Sequence, residues 1–330
     1  MSIKFKTRSQ SVLIGALAII LIVFFTGGQV AAKKFPAKTI TYIVPVTPGG
    51  GFDTATRMLV PYLEKYLPGK PNIIVKNIPG GSWSIGITKM YRSKPDGHTV
   101  CIFNMPGNAV SQVLGTAKFD LNKVKWIGNI SQVVYVGAVS RKTKYQDLKA
   151  MQGAPEITSG VVGLASTAGL GTVIAAERMG FNIKPIPGDG SVQAILGAIR
   201  GDFDYVQYPF STLKRSIVDS QDLKPVWVFS KKRLPLLPDV PTIEELGYGD
   251  LLSIVSMYRP VGGPPGLPGD IYKVWEDAFL KATSDPDFQK KMIKANRNPL
   301  PLTAAETTDM IKNGINEVDK YKDLLRKYMK

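Results

Sequence analysis

Thr39-Ile40-Thr41-Tyr42-Ile43-Val44-Pro45-Val46-Thr47-Pro48-Gly49-Gly50-Gly51-Phe52-Asp53-Thr54 changes character twice within a short stretch. Up to Val46 it is β-branched and aromatic, which reads as a strand. Thr47–Thr54 is a glycine-rich loop. Ala55, Met58, Leu59, Tyr62, Leu63 and Leu67 then fall at the i, i+3, i+4 spacing of a helix with one apolar face. Pro61 lies inside that helix and should kink it. A strand handing over to a helix through glycines is the opening of an α/β unit.

The same order continues outward. Asn72–Val75 is a second strand, Pro79–Ser82 turns into a helix that runs to about Arg92, and Pro95-Asp96-Gly97 turns into the strand Thr99–Phe103. This βαβαβ series is the signature of a mostly parallel sheet with helices on its faces. A second series follows. Trp126–Ser131 and Val133–Ser140 are strand-like, Tyr145–Met151 is a short helix, and Glu156–Val162 is a strand leading into Gly163-Leu164-Ala165-Ser166-Thr167. Leu170, Val173, Ile174 and Met179 mark the next helix, and Ile183–Ile186 the next strand. After the loop Pro187-Gly188-Asp189-Gly190, Ser191 is expected to cap a helix that buries Val192, Ile195, Leu196 and Ile199. Tyr205–Gln207 and Val226–Phe229 complete the strands, Pro260–Gly269 reads as a loop, and Asp270–Thr283 as a helix. Thr303-Ala304-Ala305-Glu306 is a capping box that starts a long amphipathic helix.

Residues 1–32 stand apart. Lys4, Lys6 and Arg8 precede the apolar run Ser11–Thr26, and Val30-Ala31-Ala32 ends in small residues. This is the pattern of a secretory signal peptide cut after Ala32, with an uncleaved anchor as the alternative. The rest of the 330 residues suffices for two domains. Once the three leading basic residues are removed, 39 basic against 26 acidic residues leave a net charge of +13. The lysines are scattered and form no basic arm with interleaved aromatics. Together with export, this argues against nucleic acid, and the charge reads as a solvated surface.

The inventory of reactive side chains is thin. One histidine, His98, and one cysteine, Cys101, cannot assemble an ordinary zinc site. No serine stands in a G-x-S-x-G elbow, and Gly49–Thr54 does not match G-x-G-x-x-G. Neither a catalytic residue, a metal nor a cofactor is expected. What the sequence does offer is three loops, 47–54, 163–167 and 187–191, each leaving a strand and opening a helix. Such loops bring unpaired N–H groups and the positive end of a helix to an anion. Facing one another across a cleft, they would hold both ends of a dicarboxylate without a lysine or arginine. Asp53 has two readings, as a cap or brace of its own loop or as a contact for a ligand's amino or hydroxyl group.

At these residues the chain resembles the Bug-type receptors, the extracytoplasmic solute-binding component of tripartite tricarboxylate transporters. The resemblance is carried by Ile40–Thr54 with Arg57, Val75-Lys76-Asn77-Ile78-Pro79-Gly80-Gly81 and Pro95-Asp96-Gly97-His98-Thr99. It continues through Gly163–Ser166, Gly201-Asp202-Phe203-Asp204, and Arg233 with Leu237–Gly247, all in order. It implies an α/β periplasmic-binding-protein fold of the second type. Lobe one would be about 33–138 plus 255–330, lobe two about 139–254, with a ligand cleft between them. It also implies a periplasmic monomer that captures a small carboxylate or related polar solute by closing. The protein would then deliver it to the large and small membrane subunits of a permease, or present its closed form to a membrane sensor kinase. Carried over, Thr47, Gly49, Gly50, Gly51, Asp53 and Thr54 line one wall, with Phe52 in the same loop. Gly163, Ser166 and Thr167 line the other, with Gly188, Asp189 and Gly190 nearby. Three segments depart from the family pattern, one of them Tyr205-Val206-Gln207-Tyr208-Pro209, which carries an unusual aromatic after Asp204. Ile186-Pro187-Gly188-Asp189-Gly190 replaces an aromatic-lysine-glycine loop, and Met257-Tyr258-Arg259-Pro260 stands where a Trp-Gly pair is usual. The ligand's identity therefore stays open.

Overall fold

The computed structural model describes residues 1–2, 35–188 and 190–328. All of the signal-peptide reading beyond Met1 and Ser2, and the site residue Asp189, lie outside the described residues. Among the described residues no helix is long and apolar enough to cross a membrane.

The opening stretch forms β1 (Ile40–Val44), flanked on both sides by parallel neighbours, β2 (Ile73–Asn77) and β3 (Thr99–Ile102). Four of its five residues are buried, as expected of a parallel strand covered on both faces. α1 (Gly51–Tyr66) and α2 (Ser84–Tyr91) are the crossovers. α1 buries Ala55, Leu59 and Leu63 completely and continues through Pro61, which is exposed. α3 (Ala109–Val113) follows β3. Beyond β3 the sheet becomes mixed, in the order β11-β4-β10-β3-β1-β2. Here β10 (Met257–Gly263) runs antiparallel between β3 and β4 (Lys125–Val133), and β11 (Asn298–Leu302) closes the edge. The expectation of a mostly parallel sheet fails on this side because β10 arrives from the other half of the molecule rather than through a helical crossover.

A second sheet has the order β7-β6-β8-β5-β9. It contains β5 (Tyr135–Ser140), β6 (Ile157–Val161), β7 (Ile183–Pro187), β8 (Tyr205–Pro209) and β9 (Leu223–Phe229). α4 (Leu148–Gln152), α5 (Thr167–Met179), α6 (Ser191–Arg200) and α7 (Phe210–Lys214) connect or flank them. β6 is parallel to β7 and β8, and β5 is antiparallel to β8 and β9. The chain changes sheets at Val134 and returns through 230–256, which includes α8 (Leu252–Val255). The expected division at 138/139 falls inside β5. Val133, Val134 and Tyr135 are all apolar, so nothing in composition marks the point where one strand ends and the next begins. α9 (Gly269–Ser284), α10 (Pro286–Lys294), α11 (Ala304–Asp319) and α12 (Lys322–Tyr328) complete the chain. Both halves of the capping box at Thr303 and Glu306 are formed.

Two local readings change. Gly190, not Ser191, is the N-cap of α6, and Val192 and Leu196 are exposed at 39% and 47%. The buried face of α6 is instead Ala194, Ile195 and Ala198, since the small alanines permit the closer approach. The start of the segment read as a loop from Pro260 belongs to β10, which runs on to Gly263. A register shift on the β4 side accommodates Pro260, whose carbonyl still accepts from the Phe103 N–H at 2.8 Å.

Candidate functional site

The loop before α1 is shaped from within. Gly49 has φ +84, a conformation that favours glycine, and its N–H donates to Asp53 Oδ2 at 3.0 Å. The Asp53 carboxylate, 4% exposed, also accepts from Arg57 Nε and Asn77 Nδ2, each at 3.0 Å. Burial by itself would raise this carboxyl's pKa. The Arg57 guanidinium, the Gly49 N–H and the Asn77 amide outweigh it and hold the group below its ordinary value. With these partners Asp53 is a brace of its own loop. The Thr54 hydroxyl likewise turns inward, donating to the Gly50 carbonyl at 3.0 Å. Gly50 is the N-cap of α1 in extended backbone and offers the first N–H groups of α1 no side-chain cap, and both Gly50 and Gly51 line the cavity between the sheets.

Loops of the second sheet meet this one. A Cβ built on Gly50 would lie 3.3 Å from Ser191 Oγ, at the start of α6. One on Gly190 would lie 2.1 Å from Thr47 Oγ1, and one on Gly163 would lie 1.8 Å from Ser82 Oγ. Ser166 caps α5, accepting from the Gly169 N–H at 3.0 Å and donating to the Gly163 carbonyl at 2.9 Å. The Thr167 N–H donates to Asn104 Oδ1 at 3.0 Å, and its hydroxyl donates to the same oxygen while accepting from the Gly107 N–H. Asn108 Nδ2 donates to the Ala165 carbonyl at 2.8 Å. The segments after β3 and β6 are therefore fastened to each other across the two sheets.

These approaches enclose a cavity of about 30 Å³, the space of roughly one or two water molecules, so an organic acid enters it only with the lobes standing further apart than they do here. Of the residues singled out by sequence, Thr47, Gly50, Gly51, Phe52, Ser166 and Gly190 line it. Gly49, Asp53, Thr54, Gly163 and Thr167 hold the surrounding loops instead. Gly188 is exposed, with its N–H given to the Val161 carbonyl at 2.8 Å. His98 is not among the lining residues. Its Nε2 accepts from the Ala37 N–H at 3.2 Å, and its ring meets Phe35 edge-on.

Sequence reasoning missed the aromatic walls, Trp83, Tyr135 and Tyr208, and above all Arg259. Arg259 is 0% exposed and lines the cavity, whose described lining residues include no acid and no other basic side chain. Its Nη1 donates to Ser131 Oγ at 3.0 Å, and its guanidinium lies 5.0 Å over the Phe52 ring. Nε and Nη2 have no hydrogen-bond partner. Burial lowers its pKa to about 9, and the nearby charge of Arg297 pushes the same way against a smaller opposing effect of Tyr135. It is therefore still a cation at neutral pH. Arg297, 6% exposed, donates from Nη1 to the Gly51 carbonyl at 3.1 Å. The available signal was a lone arginine within the apolar run Ile254–Val261. At the sequence level it registered only as a departure from a family pattern.

A family model described as the tripartite tricarboxylate transporter family receptor matches residues 57–328. The chain is 26% identical over 317 residues to protein BugT of Bordetella pertussis, covering 91% of this chain and 94% of that one. The periplasmic binding protein BugD superposes with a TM-score of 0.80 at 21% identity, covering 88% of this chain and 98% of that one. MatC from Rhodopseudomonas palustris, solved with bound malate, gives a TM-score of 0.78 at 18% identity, covering 88% and 99%. The fold is thus the two-lobed α/β fold of periplasmic binding proteins.

Proposed function

Because the chain belongs to the tripartite tricarboxylate transporter family of receptors, we propose that it captures a small carboxylate by closing its two lobes. The lobes follow the two sheets, and the site is the cavity between them. One observation carries the reading. The N-termini of α1 and α6, one from each sheet, come together at Gly50 and Ser191 on an enclosed cavity whose only charged lining residue, among those described, is a buried cation. Each helix start favours an anion by about 0.3–1 kcal/mol, and the preference is larger where water is excluded. Neither helix start reaches the ligand fully unless the lobes are together, so the ligand favours the closed state by its contacts to both. The closed form then docks, outside the cytoplasm, on a permease of one large and one small membrane subunit. Export rests on the signal-peptide reading of residues 1–32, and the receptor acts as a monomer.

A thermal-shift screen of di- and tricarboxylates, aromatic and aliphatic monocarboxylates and amino acids tests this. A true ligand at a hundred times its Kd should stabilise the protein by about 2.7 kcal/mol through mass action, and it should be recovered chemically unchanged after prolonged incubation. A screen in which no small anion or polar solute raises Tm, or in which the ligand is turned over, removes the reading.

A further inference from the structure

We propose that Arg259 is the anchor of this pocket, receiving the ligand's carboxylate along the Nε–Nη2 edge of its guanidinium, and that the ligand carries a compact apolar body. The inference rests on the receptor reading above and names the ligand class for the same cavity.

The argument begins with donors. Nη1 is committed to Ser131, and the donors without a partner are Nε and Nη2. Those two lie on one edge of the planar guanidinium and point the same way. They form the fork that matches the two oxygens of a carboxylate. The plane cannot swing freely, because Ser131 holds one end and Phe52 stacks beneath it. Taking a guanidinium out of water costs several kcal/mol unless an anion and further hydrogen bonds compensate. Among the described residues no carboxylate is paired with Arg259, whose one hydrogen bond is to Ser131, and the second charge close to it, Arg297, repels it. An anionic ligand is the partner this arrangement lacks.

Gly51 shows where the subsite closes. A Cβ there would sit 3.0 Å from Thr212 Oγ1, 3.4 Å from Arg259 Nη2 and 3.7 Å from Arg297 Nη1. Side chains from both lobes thus converge on the first turn of α1, at a position where a side chain would take up their space. Arg297 binds the Gly51 carbonyl and so acts as a positioning residue for that turn. The remaining walls set the body of the ligand. Val46, Phe52, Trp83, Val162, Tyr208 and Pro209 present mostly carbon, and the polar side chains beside them, on Thr47, Asn104, Tyr135, Ser166, Ser191 and Thr212, are uncharged. A second carboxylate placed against them would lose its hydration without a matching cation.

The test is isothermal titration calorimetry with benzoate, its neutral isostere benzamide, succinate and adipate, on wild type, Arg259→Gln and Arg259→Lys. Circular dichroism and unliganded Tm report folding. Benzoate should bind wild type at least tenfold more tightly than benzamide or either diacid. Arg259→Gln should weaken benzoate at least tenfold, with Arg259→Lys intermediate because it keeps charge but not the planar fork. Should Arg259→Gln not fold, the benzoate–benzamide contrast on wild type and the lysine variant carry the test. Equal binding of benzoate and benzamide, or wild-type affinity in both variants, overturns the anchor while the receptor reading stands. Succinate or adipate binding as tightly as benzoate overturns the apolar body. Binding of none of these three carboxylates overturns the proposed ligand class, while the receptor reading falls only if the wider thermal-shift screen also finds no ligand.

Discussion

Gly107→Ala separates closing from folding. Gly107 has no left-handed φ, so alanine fits its backbone. A Cβ there, however, would lie 2.1 Å from the Thr167 nitrogen and 2.2 Å from the Ser166 carbonyl carbon, both backbone atoms of the other lobe. Non-bonded carbon contacts settle near 3.5–4.0 Å, so the two segments must part by roughly 1.3 Å or more. That distance takes the bonds Gly107 N–Thr167 Oγ1, Thr167 N–Asn104 Oδ1, Thr167 Oγ1–Asn104 Oδ1 and Asn108 Nδ2–Ala165 O out of hydrogen-bonding range. At about 1 kcal/mol each, the closed state loses about 4 kcal/mol. If closing is what binds, affinity falls by roughly a thousandfold. Calorimetry with the best ligand from the screen measures this, and small-angle scattering with and without ligand reports compaction. The unliganded Tm should stay near wild type while the ligand-induced rise disappears. An unliganded Tm that drops as far as the liganded one would show that the contact belongs to both states, and the reasoning about closure would be wrong.

Other substitutions probe the same loops. At Gly50, whose Cβ would come 3.3 Å from Ser191 Oγ, alanine needs a shift of only a few tenths of an ångström. Gly50→Ala should keep affinity within about threefold, whereas Gly50→Val, with methyl groups that must enter the space of α6, should lose at least tenfold by calorimetry. Asp53→Asn weakens charge-assisted bonds to Arg57 and to the Gly49 N–H, with a cost of about 1.5–3 kcal/mol read from denaturant unfolding. The folded Asp53 carboxyl lies below its ordinary value, so its contribution is complete above a pH of about 3.9 and is lost as pH falls through the lower folded pKa. Tm measured from pH 6 to 3 should drop less steeply at the acid end in Asp53→Asn than in wild type. Ser166→Ala removes the cap of α5 and the tie to Gly163. About 1 kcal/mol of stability should go, a fall in Tm of roughly 2–4 °C, with affinity weakened through the loop rather than abolished.

Much of the fold was legible because its elements are written locally. The run of β1, the apolar spacing of α1 and the Thr303–Glu306 box each lie within one element, and each formed where expected. The glycine loops were legible for the same reason, since a strand ending in glycines and opening a helix needs no distant partner to be recognised. Less legible was what each loop residue does. Asp53 and Thr54 carry groups that could face a ligand, but both spend them on their own loop. Val192 and Leu196 satisfy helical spacing, yet α6 turns its small residues inward.

By itself the sequence determined two α/β series, an export-type leader pattern, a content of one histidine and one cysteine, and three loops that each leave a strand and open a helix. Only the tertiary structure decided that β10 returns between β3 and β4, and that its Arg259 is buried on the cavity those helix starts enclose. Arg297 binds the carbonyl of a residue 246 positions away, and Thr167 binds Asn104 across 63. Periodicity and capping act over one or two turns of chain, so they specify elements. Which charge meets which helix end is set by how the sheets pair and the lobes approach, and no local spacing carries that information.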